Sequence, residues 1–282
     1  MSEKMFKIGT EALSKDVSYF AIGFAHLTRT GNVEDAVSAG SGTLVTIDSL
    51  HGVLTAAHVA DALPKQGNVG IILSAESPAQ HQKHVVNMDH VEPPVLFKGD
   101  QFGALGPDLA FLRLPDDALG WLKAKNSFYS LSKRRDDVLA RKVPAKSHTD
   151  AIVGIIHELT EDVQSQQRDV RRKNFFAIFC PARPSAVRYL DTHDLLYMQL
   201  ANEDEPAFKI PNSFEGTSGG SIWRFYVVEK DGKPEVIDQR LIAVPFYQSF
   251  AADGKREITC HGSNSIYGAL VDRVRERWPN AE

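Results

Sequence analysis

Short apolar or alternating runs recur along almost the whole chain, each bounded by Gly, Pro, Asn or Asp: VSYFAIGFAHL, GTLVTI, GVLTAAHV, VGIILS, LAFLRL, AIVGII, FFAIFC, LLYMQL, GGSIWRFYVV, RLIAVPFYQ and EITC. Runs this short between turn-forming residues read as strands. Their spacing leaves little room for a helix between successive strands, so the pattern points to barrels or sandwiches rather than alternating strand and helix units. The fold class expected is all-β.

Three segments depart from the pattern. Residues 119–143 are charged and mixed and read as a surface connection between two halves. TEDVQSQQRDVRRKN, Thr160 to Asn174, is nearly devoid of apolar residues and reads as a solvated loop or hairpin tip. Its arginines could meet an acidic partner, although a charge run is more often a wet surface. SIYGALVDRVRERW places Tyr267, Leu270, Val271, Val274 and Trp278 at helical spacing. An amphipathic helix packed on the last strand is expected to close the chain.

Composition narrows the function. A net charge of −4 provides no basic field for nucleic acid. Cys180 and Cys260 are too few for a disulfide framework and fit a reducing compartment as small buried residues, with a single late bridge between them left open. MSEKMFKIGTEALSKD lacks the apolar stretch of a secretory signal, and no run approaches the roughly 18 apolar residues of a membrane span. A cytoplasmic protein without a nucleic-acid or membrane partner is expected.

Three separated pieces carry chemistry. GVLTAAHVAD presents His58 after a strand, GPDLAFLRL opens a strand on Asp108, and SFEGTSGGSIW wraps Ser218 in glycines. A neutral imidazole can take a serine proton, while a carboxylate on its other nitrogen fixes the tautomer and stabilises the imidazolium. Taken singly, His58 reads as a satisfied core or loop histidine, Asp108 as a turn residue and Ser218 as part of a simple turn. Their occurrence together, in the order His, Asp, Ser, favours catalysis.

TAAHV, DLAFLRL and GTSGGS together resemble the histidine, aspartate and serine motifs of the trypsin and chymotrypsin-like serine protease superfamily, in its bacterial, trypsin-like form. The flanking GSGTLVTI and RLIAVPFYQ extend the resemblance. It implies two consecutive six-stranded antiparallel β-barrels and a C-terminal helix. On that basis residues 1–16 form an N-terminal extension and residues 17–118 a first barrel carrying His58 and Asp108. Residues 119–145 form a connection, residues 146–263 a second barrel carrying Ser218, and residues 264–282 the closing helix. The resemblance also implies roles: Ser218 attacks the scissile carbonyl, His58 shuttles the proton, Asp108 orients His58, and the amides of Gly216 and Ser218 form the oxyanion hole.

Departures from the family pattern are informative. Thr217 stands where digestive members carry the aspartate that pairs with a freed N-terminus, which argues against activation by that ion pair. The cysteine that secreted members carry beside the histidine is missing. By position, Asn212 and Ser213 approach the base of the primary pocket, and Phe246, Tyr247 and Gln248 line its wall, with Phe246 and Gln248 able to narrow or block it. The expected base has no acidic residue, so a preference for Arg or Lys is disfavoured. His81, His84, Asp89 and His90 supply zinc-ligand types, but their spacing fits no common short zinc pattern and no metal is expected. His261, near the pocket side, reads as a structural histidine.

The expected function is a cytoplasmic serine endopeptidase acting on a protein or peptide through an acyl-enzyme, without a cofactor. An unexported protease must be restrained, either by narrow specificity or by a regulatory protein partner, as in a stress or defence response. The alternative is a protease-like module that binds a peptide in the crevice without cleaving it; an esterase-like acyl hydrolase is a lesser third reading.

Overall fold

The computed structural model describes residues 10–30, 33–74, 84–99, 103–163, 172–200, 211–251 and 254–281. Helix α1 (Thr10–Ser18) precedes the first sheet, which contains β1 (Ala21–Thr30), β2 (Val33–Ile47), β3 (Leu50–Thr55), β4 (Asn68–Leu73), β5 (His84–Asn87), β6 (Val95–Lys98) and β7 (Asp108–Arg113), with α2 (Ala57–Ala62) after β3. The connection holds α3 (Asp116–Lys125), β8 (Tyr129–Ser130) and α4 (Leu131–Leu139). The second sheet comprises β9 (Ser147–Val163), β10 (Arg172–Tyr189), β11 (Asp194–Leu200), β12 (Ser221–Lys230), β13 (Lys233–Phe250) and β14 (Arg256–His261). A π-helical stretch, Asn264–Leu270, runs into α5 (Val271–Arg277). Among the described residues no helix is long and apolar enough to cross a membrane.

The fold is mainly β, in two antiparallel sheets. The second closes as a six-stranded barrel in the order β10-β11-β14-β13-β12-β9. The first differs in detail from the expected six-stranded barrel: among the described residues it has eight strands in the order β5-β4-β1-β2-β3-β7-β6, with β8 added in parallel to β2, and its two ends are not paired to each other. Strand β6 is therefore an edge, and the C-terminal helical segment lies against β6 and β7. This corrects the expected placement on the last strand. Tyr267, Leu270, Val271 and Val274 share one core cluster with Phe97, Leu109 and Phe111 of the first sheet. Arg275 grips Asp48, at the turn between β2 and β3, through two bonds of 2.9 Å. Periodicity marks an apolar face, but which surface it covers depends on where the sheet leaves an opening.

The connection is also more than a charged surface link. Leu122, Leu131 and Val138 are buried, so α3 and α4 dock on the core while their charged faces remain wet. Tyr129 from this connection meets Trp223 edge to face at 5.0 Å, and Phe20 stacks on the same indole at 5.2 Å. These rings fasten the first sheet and the connection to the second barrel. The segment expected as a hairpin tip is partly strand: β9 continues to Val163 and pairs it with Arg172 at the start of β10. Residues 164–171, between them in sequence, lie outside the described residues. Both cysteines are buried in the barrel and not joined by a disulfide, Cys180 on β10 and Cys260 on β14.

Candidate active site

His58 and Asp108 meet because of strand register. Strands β3 and β7 pair antiparallel with Thr55 opposite Ala110, so the chain leaving β3 faces the residues entering β7. Ala57, Val59 and Ala60 of α2 are buried, which leaves His58 turned toward the open side with its side chain 35% exposed. Asp108, whose side chain is 2% exposed, grips it twice: the His58 amide donates to Oδ1 at 2.8 Å, and Nδ1 lies 2.5 Å from Oδ2. With the Nδ1 proton directed to Asp108, the neutral ring carries its lone pair on Nε2.

The turn bearing Ser218 is tied to that same end of the first sheet. Thr55 Oγ1 donates to Ser41 O at 2.7 Å, the Ser41 amide donates to Ser218 O at 2.9 Å, and Ser41 Oγ donates to Gly216 O at 2.6 Å. The Gly219 amide in turn donates to Pro245 O at 2.8 Å on β13. Gly219 has φ +80°, and a Cβ there would collide with Thr55 Oγ1 and Ser41 O and come within 2.8 Å of the Ala56 amide nitrogen. A side chain is excluded both by conformation and by the close approach of the strand leading to His58.

The amides of this turn divide into two sets. Those of Glu215, Thr217, Gly219 and Gly220 each donate within the protein, to Ser213 Oγ, Phe214 O, Pro245 O and Thr217 O. Among the described residues, those of Gly216 and Ser218 donate to no protein acceptor. Thr217 pins the turn from inside, with Oγ1 donating to Phe214 O at 2.6 Å, so no ion pair is needed to hold it. The result is a half-exposed hydroxyl beside two uncommitted N–H groups.

A recess of about 280 Å³ adjoins Ser218. Ser213, Phe246, Tyr247 and Gln248 line it, together with Phe214 and Ile258. Asn212 does not: it is exposed, and its Nδ2 donates to Glu158 Oε1 at 3.1 Å. The Ser213 amide donates to the other Glu158 oxygen at 2.8 Å, and these bonds hold the Glu158 carboxyl below its usual value. The two unusual wall residues have structural partners. Gln248 Oε1 accepts from the Phe214 amide at 2.9 Å, and the Phe246 ring stacks on His261 at 4.4 Å. Glu215, exposed, is the only carboxylate in the described lining.

His261 does not line this recess. It is fully buried on β14, with Nε2 accepting the Asp108 amide at 2.8 Å. Burial, reinforced by nearby His193 and opposed by Asp108, lowers its pKa to about 3. The histidines considered for metal have other associations: His84 stacks on Trp121 at 4.8 Å, Asp89 Oδ1 accepts the Gly67 amide, and His90 faces Asp117 at 3.3 Å. His81 lies outside the described residues, among which no cluster of three or more His, Cys, Asp or Glu is placed to hold a metal ion. Sequence reasoning missed Ser41, Thr55 and Glu158 as supports of the site, and read His261 as structural without its Asp108 partner. The small, polar Ser41 within AGSGT was a legible signal, but the partners of its hydroxyl, Gly216 O and the Ile155 amide, lie more than a hundred residues away.

No family model matches the chain, and no curated protein matches it. Among solved structures, it is similar over 89% of its length to 88% of a chain from work on the coupled folding and binding of the intrinsically disordered Sesbania mosaic virus VPg protein, at 13% identity and a TM-score of 0.38. It is similar over 94% of its length to 86% of a catalytically inactive tobacco etch virus protease complexed with substrate, at 10% identity and a TM-score of 0.37.

Proposed function

We propose that this chain is a serine endopeptidase in which Ser218 is the nucleophile, His58 the general base and acid, and Asp108 the group that orients His58. The observation that carries the reading is the double grip of buried Asp108 on the His58 amide and ring, set beside a turn with two uncommitted amides. The Ser218 hydroxyl attacks a peptide carbonyl while its proton passes to His58 Nε2. The tetrahedral oxyanion receives the N–H groups of Gly216 and Ser218, a term for which one lost donor costs about 3 kcal/mol. Collapse breaks the C–N bond, and the Nε2 proton leaves with the amine. Water then attacks the acyl ester, giving its proton to Nε2, and Ser218 regains its proton as the acid departs.

Support for a peptide substrate comes from the 280 Å³ recess beside Ser218 and the exposed Tyr247 on its rim. The reading includes an intracellular setting and restraint by narrow specificity or a regulatory protein; broad digestion of casein by the purified chain alone contradicts restraint. Labelling with a fluorophosphonate probe tests catalysis itself. Wild type is expected to label at Ser218, with labelling abolished in Ser218→Ala and severely slowed in His58→Ala. An Asp108→Asn chain is expected to lose about 10⁴-fold in turnover with its fold intact. A wild type that never labels but binds peptides in the recess is a binding module, and the proposal is then wrong.

A further inference from the structure

We propose that His261 is the positioning residue for Asp108, a hydrogen-bond acceptor supplied by the second barrel that fixes the carboxylate of the first sheet against His58. This deepens the peptidase reading and rests on it for its kinetic consequences, although the positional claim stands by itself.

The geometry starts from the Asp108 amide. On the other side of its residue, the Asp108 carboxylate is committed to His58 through both oxygens, so the angle at which β7 begins sets where the imidazole points. That angle is held by Asp108 N–H donating to His261 Nε2 at 2.8 Å, a contact between residues 153 apart in sequence. An imidazole nitrogen accepts only when unprotonated, so the neutral His261 ring carries its proton on Nδ1. Nδ1 is buried without a hydrogen-bond partner among the described residues. An unsatisfied buried donor is costly, and an apolar residue of similar shape would avoid that cost. The compensating feature is the Nε2 acceptor.

The surroundings lock the ring. Phe246 lies against one face with an interplanar angle of 18°. On another side, a Cβ at Gly106, where φ is +61°, would come within 2.8 Å of His261 Cε1, so the loop entering β7 closes directly over the imidazole. His193 approaches at 5.7 Å between ring centroids, and its own Nε2 is engaged with Leu105 O at 2.7 Å. Asp108, His193 and His58 through Asp108 are thus the titratable groups facing His261; Asp194, one strand away, is bound by the Asn264 and Ser265 amides. Two histidines of the second barrel hold Leu105 and Asp108, both ends of the loop that delivers the aspartate. The distance from His261 to the recess residues is bridged by Phe246, so the role concerns orientation and leaves substrate contact to others.

The test compares wild type, His261→Leu and His261→Gln, using an activated ester for turnover and NMR for His58 titration. Gln can place an acceptor oxygen near the position of Nε2, whereas Leu cannot. In His261→Leu, kcat is expected to fall on the order of 100-fold, as for other misplacements near 1 Å, with KM nearly unchanged. The acid limb of the pH profile and the His58 titration should both move to lower pH as Asp108 loosens, and His261→Gln should restore most of each. A folded His261→Leu with wild-type kcat and an unmoved His58 titration overturns the proposal; equal losses in Leu and Gln variants overturn the acceptor assignment. If wild type is inert toward ester and fluorophosphonate, the peptidase reading fails, and the His58 titration alone still decides the positional claim. If both variants unfold, long-range ¹H–¹⁵N spectra of wild type decide it: an Nδ1–H tautomer with an Asp108 amide coupled to Nε2 supports it, and an Nε2–H tautomer refutes it.

Discussion

If the proposed function is right, replacing Gly219 by Ala is expected to damage activity well beyond its cost in stability, because the added methyl acts on the seam between the Ser218 turn and the strand leading to His58. Two terms contribute. A non-glycine residue in the left-handed region costs about 1–2 kcal/mol, and Gly219 has φ +80°. The methyl would also collide with Thr55 Oγ1 and Ser41 O and press within 2.8 Å of Ala56 N. Two of those three atoms belong to the backbone, so no rotamer change relieves them, and overpacking of this kind costs about 1–3 kcal/mol. The expected loss is about 2–5 kcal/mol, a fall in melting temperature on the order of 10 °C for a chain of this size. Relief requires the serine turn to retreat from the strand leading to His58, and a misplacement near 1 Å costs on the order of 100-fold in rate. Gly232→Ala is the control: φ there is +72°, and nothing lies within 4 Å of an added Cβ. It carries the conformational strain alone, at about 1–2 kcal/mol, and should leave the site untouched. Thermal unfolding and fluorophosphonate labelling rates, measured on both variants, separate the two terms. If Gly219→Ala melts with Gly232→Ala and labels as fast as wild type, the contact at the seam does not position Ser218.

Two further outcomes follow from buried charge. Asp150, its side chain 1% exposed, accepts from Arg224 Nε and Nη2 at 2.8 and 2.7 Å, so Asp150→Ala strands the guanidinium and should cost about 3–5 kcal/mol by denaturant titration, far more than removing an exposed pair. His261 has a pKa of about 3 against an ordinary 6.5, so the unfolded chain takes up a proton that the folded chain refuses between those values. Its contribution to stability is therefore full above pH 6.5 and is lost as pH falls toward 3, with a slope of at most about 1.4 kcal/mol per pH unit; His261→Gln should flatten the stability profile in that window, and an unchanged slope would show that the histidine is not buried neutral.

The strand-rich class, the closing amphipathic helix and the three pieces around His58, Asp108 and Ser218 were legible in the sequence because each depends on local pattern: apolar periodicity, a glycine-wrapped serine, a carboxylate at a strand entry. Where the local pattern ended, the reading went astray. The helix carrying Leu270, Val271 and Val274 had a visible apolar face, but only tertiary packing decided that it meets β6, β7 and α4 and shares a core with Leu241 and Val244 of the second barrel. Leu131 and Val138 looked like apolar residues in a charged connection until packing buried them. Asn212 belonged to the expected pocket by position along the chain, yet Glu158, fifty-four residues earlier, draws it outward. His261 reads from the sequence as a structural histidine near the pocket side, which its burial bears out, but its partner is not visible there. Its place beneath Asp108 follows from how the second barrel docks on the first sheet, a long-range arrangement of surfaces that neighbouring residues do not encode.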